Sequence, residues 1–193
     1  MQPLHLGCGA AYMIICRSIP LNLPVNAIFA RRDIIPIGLA MFVVIVDQVT
    51  KMLIMKNFAL YEQQNIIPGF FNLVYVTNTG AAFGFLAGGK SWLRQVFFVG
   101  VALIALGVIV FAYGHLKRQG RLFVYALGLI AGGAIGNLID RLRFGSVVDF
   151  LDFYLGSYHW PAFNAADSAI TIGVGLFLLG TLLQHAKEKR ENS

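Results

Sequence analysis

The chain carries four apolar stretches, each about the length that a helix needs to cross the hydrocarbon core of a bilayer, roughly 20 residues. They are IIPIGLAMFVVIVDQVTKMLIM (Ile34–Met55), VFFVGVALIALGVIVFAYG (Val96–Gly114), LFVYALGLIAGGAIGNLI (Leu122–Ile139) and SAITIGVGLFLLGTLLQH (Ser168–His185). Inside lipid no water pairs the backbone, so each stretch must satisfy its own N–H and C=O groups, and a helix does that. The composition agrees: of 193 residues 58% are hydrophobic and only 12% charged, far from the balance of a water-soluble domain. Four spans, at about 34–55, 96–114, 122–139 and 168–185, return both chain ends to one side.

The basic residues indicate which side. Arg31 and Arg32 precede the first span, Lys117, Arg118 and Arg121 fill the turn between the second and third, and Lys187, Lys189 and Arg190 follow the fourth. By the positive-inside rule these positions are cytoplasmic. The net charge of +6 is then mostly an orientation signal. It does not point to nucleic acid, because the basic residues are dispersed along one membrane face, with no groove and no base-stacking module.

Residues 1–30 stand apart and read equally as an N-terminal extension, a segment lying on the membrane surface or a start set too early. They are apolar but interrupted by Arg17, Pro20 and Pro24, and they form neither a good span nor a cleavable leader. Both cysteines, Cys8 and Cys16, lie there, so no disulfide framework or thiol nucleophile is expected in the membrane domain, residues 31–193. Two segments fall outside: Lys56–Gln95 and Asp140–Asp167. In the first, FFNLVYVTNTGAAFGF (Phe70–Phe85) mixes aromatic and β-branched residues with Asn-Thr-Gly and reads as short strands around a turn.

Most of the acids sit on this outer face: Glu62, Asp140, Asp149, Asp152 and Asp167. Ionisable groups in or beside lipid are costly, so each needs a reason. Asp47 and Lys51 are four residues apart in the first span and share a helix face. They are expected to pair with each other, the lysine stem reaching toward the interface. Asn137 and Arg141 share a face at the outer end of the third helix, and Asp140 beside Arg141 reads equally well as a helix-end ion pair. Asp149 lies in an apolar run; if that run is extended, Asp152 points to the opposite side. Asp167 precedes the fourth span as an N-cap or first-turn carboxylate would.

Asp149 and Asp167, with Asn78, Asn137 and Asn164 assigned to the same face, also suit a shared site. Two carboxyls held close together cannot both ionise easily, so one keeps a proton and the pair offers a general acid and a general base. The asparagines and Arg141 would hold an extended peptide in register. Three other readings use the same residues: a proton-coupled transporter with Asp47, Asp149 and Asp167 as relay groups, a scaffold whose acids are all caps and ion pairs, and a divalent-metal site. A relay calls for ionisable groups deep in several spans, and here only Asp47 and Lys51 lie deep. A metal site calls for spaced ligands, and His159 is the only histidine near these acids.

The ordered blocks Asp47-Gln48 to Lys51, NTGAAFGFL from Asn78, GGAIGNLIDRL from Gly132, GSVVDFLDFY from Gly145 and FNAADSAI from Phe163 resemble the lipoprotein signal peptidase (signal peptidase II) family from about Arg31 to about Gln184. The resemblance implies an all-α membrane protein: four transmembrane helices, a small extracytoplasmic β-sheet cradle and a short helix over the active site. It implies an aspartic endopeptidase of the bacterial cytoplasmic (inner) membrane, its termini cytoplasmic and its active site at the periplasmic face. Such an enzyme cuts the signal peptide from diacylglyceryl-modified prolipoproteins immediately before the lipidated cysteine. Asp149 and Asp167 match the catalytic pair. Asn78, Asn137, Arg141 and Asn164 match residues that bind substrate or globomycin-type inhibitors, and Asp47, Lys51 and Asp140 match structural support. The implied partners are prolipoproteins, membrane lipids and such inhibitors, with no nucleic acid, no metal and no cofactor. Members normally begin close to the first span, a pattern from which residues 1–30 depart. The glycines of Asn78–Gly89 suit a lid or a β turn.

Overall fold

Why these residues form long helices is a matter of what surrounds them. In the computed structural model, which describes residues 31–80 and 91–191, the four stretches become α1 (Arg31–Asn57), α2 (Ser91–Gln119), α3 (Arg121–Phe144) and α4 (Ala165–Glu191). Each helix outruns its apolar stretch by a turn or more, and polar residues at the ends carry it into the interface. All four are long and apolar enough to cross a membrane. Their outward faces carry large apolar side chains, Phe111 of α2 being 92% exposed. Such a surface is stable only against lipid. The extension 1–30 and most of the glycine-rich segment, residues 81–90, lie outside the described residues.

The helix α3 packs against each of the other three. Its glycines make this possible. A Cβ on Gly132 would lie 2.8 Å from the Ala40 carbonyl oxygen of α1, and one on Gly133 would collide with the Ala166 carbonyl oxygen of α4. Without a solvent-driven hydrophobic force between helices in lipid, such close backbone approach supplies the van der Waals attraction that holds them together.

The segments between helices build one antiparallel sheet in the order β1 (Gln63–Ile67), β2 (Phe71–Asn78), β3 (Val147–Leu155), β4 (Tyr158–His159). The β1–β2 turn is Ile67-Pro68-Gly69-Phe70, closed by Phe70 N–H to the Ile67 carbonyl at 3.0 Å with Gly69 at φ +80°. Proline sets the first central φ and glycine supplies the positive second one, the arrangement of a type II turn. Of the short strands expected over Phe70–Phe85, β2 (Phe71–Asn78) is present and its turn to β1 lies before Phe70; the part of the expectation after Asn-Thr-Gly lies outside the described residues. Among the described residues there is no short helix; the one implied by resemblance is absent from them.

The sheet brings distant segments to one place. Pairing of β2 with β3 sets Val76 opposite Asp149 and Asn72 opposite Asp152, and Leu151 bridges to Phe163 just before α4. The middle of β3 is thereby held against the start of α4.

Candidate active site

The site grows from the first turn of α4. Asn164 precedes the helix, its side-chain oxygen accepts the Asp167 backbone N–H at 3.0 Å, and the Asp167 carboxylate accepts the Asn164 backbone N–H at 3.2 Å. This reciprocal pair is a capping box with aspartate at its third helical position. The cap expected of Asp167 is present, but it does not use the whole side chain. Its other carboxylate oxygen accepts the Asn137 amide at 2.7 Å.

Asn164 also reaches the second acid. Its side-chain amide donates to Asp149 Oδ1 at 2.7 Å, and lies 3.2 Å from both the Val148 carbonyl and Asn137 Oδ1. One residue therefore touches both Asp149 and Asp167, although they belong to different elements. Asp149 is only 2% exposed, whereas Asp167 is half-buried. Burial first, and then the neighbouring Asp167 charge, push the Asp149 carboxyl up to about 7, against the opposing help of Asn78, Asn164 and Lys51. The Asn78 side-chain oxygen meanwhile accepts the Gly80 N–H at 2.8 Å and holds the end of β2 in a tight bend.

Beneath this layer lies a buried ion cluster. Lys51 does not reach toward the interface: it is 1% exposed, and its ammonium binds Asp47 at 2.9 Å, Asp140 at 2.8 Å and the Asn137 side-chain oxygen at 3.0 Å. Three donors thus meet three acceptors, which is what makes a lysine tolerable there. The pairing of Asp47 with Lys51 is as expected; the direction of the stem is not, because α3 offers nearer partners than the interface does. Asp47 in turn accepts the Ala166 N–H at 3.0 Å, at the start of α4. Asp140 belongs to Lys51 rather than Arg141, and its carboxylate also accepts the Val148 N–H at 3.1 Å.

Arg141, one turn beyond Asn137, approaches the Asn137 carbonyl at 3.5 Å and lies over the Phe98 ring at 5.2 Å. Its charge acts on Asp167, Asp149 and Asp140. Four carboxyls, Asp47, Asp140, Asp149 and Asp167, thus share two cations, Lys51 and Arg141. That imbalance favours keeping one proton within the cluster, and burial raises the affinity of Asp149 for it. Among the described residues every buried side-chain nitrogen and oxygen has a partner.

The nine residues that the resemblance matched to site or support meet in this one region, in two layers: Asp149, Asp167, Asn78, Asn137, Asn164 and Arg141 above, Asp47, Lys51 and Asp140 below. Two participants, Gln48 and Gln95, were given no role by the sequence. Gln48 bridges Asp140 at 2.9 Å and the Gly136 carbonyl at 3.2 Å. Its only signal was an amide inside an apolar span. Gln95 of α2 donates to the Arg141 carbonyl at 3.0 Å and so fastens the end of α3. On the far side of β3, Asp152 binds the Asn72 amide at 2.8 Å and the His159 ring at 2.9 Å. Among the described residues no group of three His, Cys, Asp or Glu side chains is arranged to hold a metal ion.

Residues 39–183 match the family model described as Signal peptidase (SPase) II. A lipoprotein signal peptidase of Syntrophus aciditrophicus is 51% identical over 147 residues, which cover 76% of this chain and 91% of that protein. One of Geobacter metallireducens is 43% identical over 148 residues, covering 77% and 90%. A bacterial membrane enzyme solved by the in meso method at 2.3 Å resolution superposes with a TM-score of 0.69 at 37% identity, covering 79% of this chain and 90% of that one. A second such structure, at 1.9 Å, gives 0.67 at 38% identity, covering 77% and 92%.

Proposed function

The chain belongs to the signal peptidase II family, and from that premise we propose that it is a membrane aspartic endopeptidase acting on diacylglyceryl-modified bacterial prolipoproteins. It cuts the signal peptide immediately before the lipidated cysteine, with Asp149 and Asp167 as the catalytic pair. The observation that carries this reading is the Asn164 bridge, which ties a buried carboxyl poised near neutrality to a more open one.

The chemistry follows from that asymmetry. Asp167, ionised, takes a proton from a water whose oxygen bonds to the scissile carbonyl carbon, while Asp149 gives its proton to the carbonyl oxygen. The resulting diol collapses as Asp149 recovers a hydroxyl proton and Asp167 delivers its own to the departing nitrogen, the new amino terminus of the cysteine. The carbon–nitrogen bond breaks, a carboxylic acid is left on the signal peptide, and both acids return to their starting states. A coupled pair titrates as a unit, so the pH dependence belongs to both.

Asn137 and Asn164 spend their amides on the carboxylates and orient them; Asn78 and Arg141 pair the backbone of an extended substrate, which in a low-dielectric site needs every polar group satisfied. Asp47, Lys51 and Asp140 brace this layer from below. The acyl chains of the substrate stay in the bilayer and present the bond at a fixed depth. Globomycin-type inhibitors would compete for the same peptide-binding residues. The basic residues around Lys117 and after α4 support cytoplasmic termini, an inner-membrane location and an active site at the periplasmic face.

The test is cleavage of a synthetic prolipoprotein peptide, with and without diacylglyceryl on its cysteine, by the purified chain in nanodiscs. Scission before the lipidated cysteine, reduced roughly a thousandfold or more in folded Asp149→Asn and Asp167→Asn variants, is the expected result. Cleavage surviving either substitution, or inhibited by chelators, overturns the reading.

A further inference from the structure

At the end of the bundle away from Asp149 and Asp167, two recesses meet at Lys117. The larger, about 940 Å³, is a groove with α1 and α2 as walls and α3 as floor, lined by apolar side chains such as Ala40, Val44, Leu106, Ile109, Leu127 and Ala131. Both α1 and α2 pack along α3 but make no extended contact with each other, so the groove opens sideways into lipid. On α1 it runs from Asp33 to Ile45. At 1.5 Å per residue that is about 18 Å, close to the roughly 15 Å apolar depth of one leaflet. Its polar end is closed by Asp33, which accepts the Tyr113 hydroxyl at 2.7 Å and the Lys117 ammonium at 3.1 Å.

The smaller recess, about 330 Å³, continues past Lys117 and is lined by Arg118, Gly120 and Arg121 at the turn between α2 and α3. Lys117 balances Asp33. Among the described residues neither Arg118 nor Arg121 has an acidic partner, which leaves two positive charges at the interface. Gly120 caps α3 without a side-chain hydrogen bond, so first-turn amides are available there as well.

We propose that the two recesses form one binding site for an anionic phospholipid, its phosphodiester held at Arg118 and Arg121 and one acyl chain lying in the groove between α1 and α2. Charge selects the occupant. A phosphodiester bears the negative charge that the arginines lack, whereas the cationic end of a zwitterionic headgroup would be repelled by them, and basic pockets between membrane helices are suited to such headgroups. The bound chain covers apolar faces of α1 and α2 that the protein leaves apart. The site needs only a bilayer around the chain and stands whether or not the chain cleaves prolipoproteins.

The test uses the full-length chain, purified, stripped of lipid and given equimolar phosphatidylglycerol and phosphatidylcholine with identical acyl chains, with retention read by native mass spectrometry. A preference for phosphatidylglycerol of roughly 25-fold is expected, about fivefold for each arginine. An Arg118→Gln/Arg121→Gln variant should approach parity with an unchanged melting temperature in detergent, and Arg118→Lys/Arg121→Lys should keep most of the preference. Val110→Trp, placed on an exposed groove-lining position, should lower retention of both lipids by filling the groove. Parity in the unaltered chain overturns the proposal and leaves the groove to residues 1–30 or to a second copy. A preference undiminished in the double glutamine variant, or retention unchanged by Val110→Trp, also overturns it.

Discussion

Asp149 shows how much one side chain owes to its surroundings. Its carboxyl sits near 7 instead of the ordinary 3.8, so the folded chain holds this proton more tightly than the unfolded one. That contribution to stability is complete below the ordinary value and is lost as pH rises through about 7. Stability in nanodiscs should therefore fall by on the order of a few kcal/mol between pH 5 and pH 8, read as a falling melting temperature, and Asp149→Asn should flatten that part of the profile. Under the proposed mechanism kcat/KM declines above pH 7 as well, because the general acid is lost. Lys51 is the complementary case, a buried cation that compensates two carboxylates. Lys51→Met leaves both uncompensated and should cost roughly 3–5 kcal/mol in chemical unfolding; adding Asp140→Asn should recover part of it. No recovery would mean that the lysine acts by packing alone. The sequence made Asp47 and Lys51 legible as a pair because they lie one helical turn apart. It left Asp140 open, since its partner sits on another helix.

At the scale of elements, α3 is the axis and its glycines are the reason. Gly133 lies against the Ala166 backbone, while Gly175 of α4 has open space around it. Gly133→Ala should destabilise by about 1–3 kcal/mol through enforced separation of α3 and α4, and should reduce activity by displacing Asp167. Gly175→Ala should be neutral or stabilising by up to about 1 kcal/mol, the gain in helix propensity. Paired thermal melts of the two variants check this; equal effects would remove the close-packing argument. The turn at Pro68-Gly69 was readable in principle, since that dipeptide carries its own backbone preference.

For the whole molecule, hydropathy positions the helices, and under the proposed function the basic residues orient them. In a Cys8→Ser/Cys16→Ser background, Tyr158→Cys on the exposed β4 should react with an impermeant maleimide in intact cells, while Gln119→Cys and Lys187→Cys should react only after permeabilisation. The opposite pattern would place the site on the cytoplasmic side. With that orientation, the carboxyl pair lies at one interface, and the basic recess of Arg118 and Arg121 lies at the other. Some 19 residues of α3 separate Arg121 from Asp140, about 29 Å of helix, so the two ends can be varied independently.

The sequence alone determined the number of spans, their approximate limits, the face on which the acids gather and, through five ordered blocks, the family resemblance. These are local sums or local patterns: the transfer of some twenty side chains into lipid hardly depends on what else the chain does. Only the tertiary structure decided that Asn164 joins Asp149 to Asp167, that Lys51 turns inward to Asp140 and that Asp47 receives the Ala166 amide across 119 positions of sequence. Burial and charge proximity arise between segments that the chain order keeps apart. A carboxyl's affinity for its proton is set by those neighbours, and they are assembled only when α1, α3, α4 and the sheet meet.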